Sequence, residues 1–219
     1  MNTGDVNLYH VMFDIDGTLV KSFEFDEQCY LDAVHKALGQ PMDSDWSRYK
    51  HITDSGILDQ HLKLKGLLHR RKEIHPKVKA VFIENIRKHI LKHPVEPVAG
   101  AIDFLERLKL MHNVSLSIAT GGWGETARMK LRSAGFDISG IPMSSSNDHY
   151  SRTEIMKTAL SKSSVLPEER ITYFGDAEWD KKACEHLGIN FVLLGNRVNH
   201  NQSIPNFTFH DKALTYIGL

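Results

Sequence analysis

The first apolar run of the chain ends at two acidic residues, and it reads His10-Val11-Met12-Phe13-Asp14-Ile15-Asp16-Gly17-Thr18-Leu19-Val20. An apolar segment that stops at carboxylates and a glycine is typical of a buried strand whose carboxyl end opens into a crevice. The alternative is an acidic turn that merely ends a strand, with a helix cap. The pairing of Asp14 with Asp16 favours a chemical role.

Asp14 and Asp16 would crowd two like charges together in an extended strand, because residues i and i+2 of a strand point the same way. A cation, a proton or a break in the strand must relieve this repulsion. A hard cation such as Mg²⁺, which takes oxygen ligands, would do so through one carboxylate and a neighbouring backbone carbonyl. Gly17 permits a sharp exit from the strand, and Thr18 offers a hydroxyl to an incoming anion.

Composition limits the classes of protein that fit. A chain of 219 residues, 41% of them hydrophobic, can bury one substantial core and a small accessory domain. Acidic and basic residues number 27 each, so no charge excess points to nucleic acid or to an anionic membrane. No apolar run approaches a membrane span, the first residues lack signal-peptide features, and Cys29 and Cys184 suggest reduced thiols. We therefore expect a cytoplasmic protein, of an oligomeric state that the sequence does not indicate.

One helical interruption divides an otherwise alternating chain. Residues from about Glu24 to Leu91 have helical apolar spacing. The return hinge lies at 92–97, because two prolines in four residues cannot continue a helix. We predict that residues 22–97 form an inserted helical domain, while residues 1–21 and 98–219 form the core.

The core is predicted to be α/β, a doubly wound parallel sheet. Its later elements are a helix over Ala101–Met111, a strand over Val114–Ala119, a helix over Trp123–Ala134, a weak strand over Asp137–Met143, a helix over Thr153–Ser161, a strand over Ile171–Phe174, a helix over Glu178–Leu187 and a strand over Asn190–Leu194. Strands separated by helices imply a parallel sheet with right-handed crossovers. The polar tail after Gly195 predicts a loop before a short final strand or helix.

Three polar motifs at strand ends resemble those of the haloacid dehalogenase-like hydrolases, a superfamily of aspartate-nucleophile phosphatases and phosphomutases. The segment 14–18 is similar to the first motif, 115–122 with Thr120 to the second, and 171–180 to the acidic fourth. The resemblance covers the chain apart from the insert. It implies a Rossmann-like core and an all-helical cap, here residues 22–97.

The resemblance also implies roles for residues at matching positions. Asp14 would attack phosphorus in line and form an aspartyl-phosphate, and Asp16 would protonate the leaving oxygen and later deprotonate the attacking water. Thr120 would bind a phosphoryl oxygen, with the N–H groups of Gly121 and Gly122 as further donors. The alternative for the last three residues is a strand-to-helix turn with a cap.

The basic third motif is assigned to Arg152, where the family usually has a lysine. An arginine stays charged and can hold phosphate oxygens bidentately. Lys157 is the competitor, but it lies about 140° further around the helix, which favours a solvated face. Mg²⁺ is the implied cofactor, with Asp14, Asp16, Asp176 and Asp180 as the residues of its site.

The insert is expected to select the substrate. We call residues 14–20 the catalytic loop, after the role that the resemblance implies. Phe23 and Asp26 follow this loop directly and are placed to line the entrance of the site. Residues 50–58 resemble a cap loop of these enzymes, although a helix start capped by Thr53 or Asp54 explains them equally well. The histidines of the insert show no paired metal spacing on one helix, and we expect most of them on the surface: His61, His69, His75, His89 and His93.

The implied function is a Mg²⁺-dependent phosphatase that acts on a small phosphorylated metabolite. The nearest alternative is a phosphomutase that uses the same aspartyl-phosphate and reorients a bisphosphate. A non-catalytic binding or regulatory protein on this fold is the alternative from another class. Its mark would be the loss of the nucleophile, acid/base or metal aspartate, and none is lost here.

Overall fold

A parallel sheet forms the centre of the molecule in the computed structural model, which describes residues 8–165 and 169–219. The strands in this part of the chain are β1 (Tyr9–Phe13), β2 (Val114–Ala119), β3 (Met143–Ser144), β4 (Arg170–Gly175), β5 (Asn190–Leu194) and β6 (Ser203–Ile204). They pair in the order β3-β2-β1-β4-β5-β6, and every pairing is parallel. The predicted doubly wound α/β fold is confirmed.

Helices supply the connections and the insert. They are α1 (Phe23–Leu38), α2 (Asp54–Leu64), α3 (Arg71–Lys92), α4 (Ala101–Lys109), α5 (Gly124–Ser133), α6 (Arg152–Lys162), α7 (Glu178–Leu187) and α8 (His210–Ile217), with short 3₁₀ turns at Trp46–Arg48 and Leu68–Arg70. Within the described ranges, no helix combines the length and the apolarity needed to cross a bilayer.

The sheet order reverses at β1. The chain builds β2 and β3 on one side of β1 and then returns to build β4, β5 and β6 on the other. Such a switch point leaves a crevice at the carboxyl ends of the strands, where α/β proteins bind ligands. The backbone N–H of Asp14 donates to the carbonyl of Phe174 at 2.9 Å, so the ladder carries Asp14 into this crevice.

Three apolar clusters stabilise the described part of the molecule, two of them in the core and one in the insert. In the core, the ring of Phe13 stacks on Phe174 with centroids 5.3 Å apart. In the insert, Tyr30 and Phe82 form an edge-to-face pair at 5.4 Å. Trp123 of the core packs into the cluster of the insert, 5.9 Å from Phe82. Trp123 therefore joins the two parts of the molecule by apolar packing.

The chain leaves the core for the insert and returns to it at adjacent points. The N–H of Lys21 donates to the carbonyl of Glu96, and the N–H of Val98 donates to the carbonyl of Leu19, both at 2.9 Å. The two connecting segments thus hold each other by backbone hydrogen bonds beside the catalytic loop.

The predicted strand over Asp137–Met143 is wrong for most of its length, since β3 contains only Met143 and Ser144. The N–H of Ser139 donates to the side chain of Asp137 at 2.9 Å, and Gly140 has a φ of +76°. These are features of turns, because a short polar side chain can bond the backbone locally and glycine tolerates the left-handed region.

His61 is buried, with 4% of its surface exposed, so the expectation of a surface position is wrong for this histidine. It follows Ile57 by four residues and Leu58 by three on α2, and both of these are buried. Residues three and four apart share one helical face, which explains its burial.

Candidate active site

The catalytic loop turns tightly directly after β1. The N–H groups of Leu19 and Val20 both donate to the carbonyl of Ile15, at 2.9 and 3.0 Å. Gly17 has a φ of +82°, and a Cβ at this position would collide with the carboxylate of Asp176. A glycine is needed here both for the backbone angle and for the close approach of the end of β4.

Asp14 lies in a buried cluster of three carboxyl groups with Asp176 and Asp180. Each offers an oxygen, and the three oxygens lie within 4.8 Å of one another. Burial, with the nearby charge of Asp180, raises the pKa of Asp14 to about 7, although Arg152 acts in the opposite direction. The cluster needs positive charge to hold its carboxyl groups ionised.

Two arginines supply part of that charge. Arg152 Nη1 lies 2.8 Å from Asp180 and 3.4 Å from Asp14, and Arg197 Nη1 lies 2.8 Å from Asp176. Even so, burial raises the pKa of both Asp176 and Asp180 to about 6. Three converging carboxylates in a dry site are the hard oxygen donors that suit Mg²⁺, so the residues present fit this ion.

The side chain of Asp16 points to different partners and lies outside this cluster. Its Oδ1 accepts hydrogen bonds from the hydroxyl of Ser22 and from Lys130 Nζ, the latter at 2.5 Å. Lys130 Nζ also lies 2.5 Å from Asp26 Oδ1. The catalytic loop is thereby connected, through one lysine, to α1 of the insert.

Lys130 is completely buried, and the sequence analysis did not single it out. Burial alone would lower the pKa of its ammonium group, but Asp16 and Asp26 raise that pKa above its ordinary value. Lys130 lies on the apolar face of α5, three residues after Ala127 and four before Ala134. That helical spacing is the signal that could have marked it as buried.

The turn after β2 brings Thr120, Gly121 and Gly122 to the same place. Thr120 is buried, and its Oγ1 accepts the N–H of Gly122 at 3.2 Å. A Cβ on Gly121 would lie 2.5 Å from Arg152 Nη2, so this turn and the guanidinium touch. All four residues line one cavity with Asp14 and Asp16.

Two other predicted residues lie elsewhere. Thr18 is fully buried behind the loop, its hydroxyl has no hydrogen-bond partner in the described structure, and it does not line the cavity. Lys157 is exposed and pairs with Glu154 at 2.8 Å. Of the two basic candidates on α6, Arg152 is the one that faces Asp14.

The cavity encloses about 640 Å³, including its open mouth, and the insert covers it. Phe23 and Tyr30 of α1, Trp46 and Asp54 form its roof, and Trp179 of α7 lies at its side. The carbonyl of Gly121 accepts the N–H of Asp54 at 2.9 Å, so the roof is bonded to the turn after β2. Thr53 caps α2 by accepting the N–H of Gly56 at 3.0 Å, as one of the two readings of residues 50–58 expected.

Comparisons with known proteins agree with this geometry. The chain resembles a hydrolase from Pseudomonas syringae (22% identity, TM-score 0.69, covering 88% of this chain and 87% of that one). It also resembles β-phosphoglucomutase from Clostridium difficile (16%, 0.73) and the phosphate complex of CbbY from Rhodobacter sphaeroides (16%, 0.72), with 97% of this chain and 100% of the other covered in each case.

No curated protein sequence matches the chain. The model of the haloacid dehalogenase-like hydrolase family matches residues 11–194, which include the catalytic loop, the insert and the acidic cluster. The chain therefore belongs to the haloacid dehalogenase-like hydrolase family.

Proposed function

We propose that this hydrolase is a Mg²⁺-dependent phosphatase that cleaves a small phosphomonoester through an aspartyl-phosphate on Asp14. The observation that carries the proposal is the position of Asp14. Its buried carboxylate lines the cavity, lies in the acidic cluster and faces Arg152 at 3.4 Å. A nucleophile, an anion-binding cation and a cation-binding cluster thus meet at one point, as phosphoryl transfer requires.

Asp14, Asp176 and Asp180 would hold the metal. When bound, Mg²⁺ would neutralise charge on the phosphoryl oxygens and on the carboxylates that surround them. Arg152 would bind a phosphoryl oxygen from the other side, with the Thr120 hydroxyl and the turn at Gly121 completing the donor set. The carboxylate of Asp14 would then attack phosphorus in line with the leaving oxygen.

Asp16 is suited to proton transfer because its two oxygens have different surroundings. Both donors, Ser22 and Lys130, bind Oδ1. Oδ2 of Asp16 faces Gly122, since a Cβ built on Gly122 would lie 3.6 Å from this oxygen. We assign Oδ2 as the atom that gives a proton to the leaving oxygen and later removes one from water.

The insert, residues 22–97, would act as the cap domain over a core of residues 1–21 and 98–219. Its residues roof the cavity, and its two connections to the core are adjacent. A cap in this position would exclude water from the aspartyl-phosphate and select the leaving group.

The test is phosphate release from a panel of phosphorylated sugars, nucleotides, alkyl phosphates and an aryl phosphate, with Mg²⁺ and with chelator. We expect metal-dependent release that falls by about a thousandfold or more in Asp14→Asn, because the covalent step is lost. Asp211→Asn, at an exposed position on α8, is the matched control and should keep full activity.

Full activity in Asp14→Asn would overturn the assignment of the nucleophile. Turnover that requires an added sugar bisphosphate would replace the phosphatase by a phosphomutase. Substrate binding without release from any compound would favour a binding protein.

A further inference from the structure

The cavity holds far more negative than positive charge. Five carboxylates line it, against one guanidinium from Arg152: Asp14, Asp16, Asp26, Glu27 and Asp54. A site that binds only the dianion of a phosphate ester would need the opposite balance away from the metal. The location of the excess therefore carries information about the rest of the substrate.

Assigning each cation to its nearest carboxyl groups shows which carboxyl groups of the cavity have no cationic partner. Asp14 faces Arg152, and Asp16 and Asp26 share Lys130. Among the described residues, neither Glu27 nor Asp54 has a cationic group within 4 Å. The two carboxyl groups without a paired cation both belong to the insert, the part of the molecule that we expect to contact the leaving group.

Asp54 has one oxygen without a partner. The residue is 9% exposed, and its Oδ2 accepts the backbone N–H of Trp123 at 2.6 Å. Its Oδ1 accepts no hydrogen bond from any described residue, and the side chain lines the cavity. Burial and the nearby Asp26 raise the pKa of Asp54 well above its ordinary value, although Lys130 acts in the opposite direction, and a bound cation would lower that pKa further.

Glu27 is held in place by a neutral donor. Its Oε2 accepts the indole N–H of Trp46 at 2.8 Å, which leaves its negative charge available. An indole donor orients the carboxylate towards the cavity wall without neutralising it. Glu27 and Asp54 are therefore both held in position without a paired cation, and a bound cation would favour the ionised form of Asp54.

Aromatic rings of the insert and of α7 also line the cavity. Phe23, Tyr30, Trp46 and Trp179 line it, and the faces of such rings attract cations. The guanidinium of Arg197 already lies over the ring of Phe23, 3.8 Å from its centre. Arg197 does not line the cavity, so it contacts this ring from outside the cavity.

We propose that the leaving group of the substrate carries a positive charge, as an amine or a quaternary ammonium on a short alkyl chain. The inference rests on the proposed phosphatase function and specifies its substrate class. Glu27 and Asp54 would pair with the cation, and the aromatic rings would surround it. A second phosphate in this position would meet two carboxylates and would be repelled.

Apart from Arg152, no positive side chain of the described residues lines the cavity. Lys50 and Lys182 line the adjoining groove, which is continuous with the cavity at Trp46 and Trp179. An anionic leaving group would have to extend into that groove. The position of the leaving group therefore distinguishes the two charge types.

The test uses three phosphate esters of similar size: 2-aminoethyl phosphate, n-propyl phosphate and 2-phosphoglycolate, which carry a cationic, a neutral and an anionic leaving group. We expect kcat/KM to be at least tenfold higher for the aminoethyl ester than for the propyl ester, with phosphoglycolate lowest. Calorimetric binding of the same esters to the Asp14→Asn protein with Mg²⁺ should give the same ranking.

Glu27→Gln should reduce the ratio of aminoethyl to propyl turnover severalfold, because it removes charge with little change of shape. Glu24→Gln is the matched control, since Glu24 is exposed on the same helix and outside the cavity, and it should leave the ratio unchanged. Equal turnover of the charged and neutral esters, or an unchanged ratio in Glu27→Gln, overturns the inference.

The two proposals fail in different ways. Hydrolysis that depends on Asp14 but favours the propyl ester or phosphoglycolate keeps the phosphatase and overturns the cationic leaving group. A preference for phosphoglycolate would place the leaving group beside Lys50 and Lys182. If none of these esters or the wider panel releases phosphate, the phosphatase fails and the inference fails with it.

Discussion

Asp14 and Asp16 are two residues apart, yet they belong to two buried ionic groups of different character. On the core side, Asp14 joins Asp176 and Asp180, three carboxyl groups that approach two arginines. On the insert side, Asp16 and Asp26 share a single fully buried lysine at 2.5 Å. Each group has one more carboxyl than cation, but they are arranged differently. The core oxygens converge within 4.8 Å of one another, as the ligands of an added cation would, whereas Lys130 already lies between the two carboxylates on the insert side.

The difference follows from where the side chains come from. The core cluster is built at the ends of β1 and β4 and on α7, which the sheet fixes relative to one another. The group around Lys130 joins the catalytic loop, α5 and α1 of the insert. Metal binding should therefore affect the first group, and the position of the insert should affect the second.

Loss of Lys130 should have the largest effect on stability. Lys130→Met leaves two partly buried carboxylates without their fully buried counter-ion, and we expect the free energy of unfolding to fall by about 3–5 kcal/mol. Urea denaturation measures it. Lys157→Met removes an exposed lysine from a surface pair and should cost under about 1 kcal/mol. A similar small cost for Lys130→Met would mean that its partners are protonated rather than ionised.

Replacing Arg152 should lower the free energy of unfolding by less, about 3 kcal/mol, and bound Mg²⁺ should restore this stability. The pKa values of Asp14, Asp176 and Asp180, raised to about 7, 6 and 6, allow these groups to take up protons when the guanidinium is removed. Arg152→Met should therefore gain more thermal stability from Mg²⁺ than the wild type does.

The same Mg²⁺ titration separates the two ionic groups. Mg²⁺ should raise the thermal stability of Lys130→Met no more than that of the wild type, because the oxygens around Lys130 lie outside the acidic cluster. Thermal unfolding with Mg²⁺ and with chelator gives both results. Equal rescue of the two variants would show that the groups act as one.

The sequence was sufficient to predict most strands and helices of the core, because the apolar periodicity and turn residues that indicate them are local. The strand at β1, the helix over Glu178–Leu187 and the strand over Asn190–Leu194 follow from apolar period and from turn residues. The strand predicted over Asp137–Met143 began too early, because the turn chemistry around Gly140 overrides the apolar residues before β3.

The positions of Phe23 and Asp26 beside the cavity were predicted, but the ionic contacts of the insert side were not, because these contacts are long-range. Lys130 meets Asp26 and Asp16 across 104 and 114 positions of the chain. Helical period can show that Lys130 is buried, but it cannot name its partners. The same holds for Asp54, whose side chain meets the N–H of Trp123 69 positions away.

The opposite end of β1 offers a buried group that is neutral. His10 is fully buried and lies 2.7 Å from the hydroxyls of both Ser115 and Ser117. Burial lowers the pKa of His10 from 6.5 to about 4, against the opposing charge of Glu169. Between these values the unfolded chain binds more protons, so the contribution of His10 is complete above pH 6.5 and is lost as pH falls towards 4.

His10→Gln should therefore remove a pH dependence of about 3 kcal/mol. The stability advantage of the wild type over this variant should shrink by that amount between pH 7 and pH 4. The aspartates act alike in both proteins and cancel in the difference. His112→Gln, at an exposed position, should show no such trend. A constant difference for His10→Gln would mean that burial leaves the pKa of His10 at its value in the unfolded chain.

The smallest effect is expected at Arg197, where a cation of the chain competes with an added one. Its guanidinium pairs with Asp176 at 2.8 Å, but its side chain is 45% exposed. Such a pair contributes about 0.2–1 kcal/mol, so Arg197→Gln should change stability little. Because the substitution frees an oxygen of Asp176 in the acidic cluster, we expect Mg²⁺ to bind roughly two- to fivefold more tightly.

Arg107→Gln is the matched control for Arg197→Gln, since it breaks a surface pair with Asp211 at 3.8 Å, away from the site. Its Mg²⁺ affinity, measured by titration calorimetry, should equal that of the wild type. Weaker Mg²⁺ binding in Arg197→Gln would mean that Arg197 positions Asp176 for the metal instead of competing with it. The core side would then be a site that its arginines preorganise, and the contrast with the group around Lys130 would be one of degree rather than of kind.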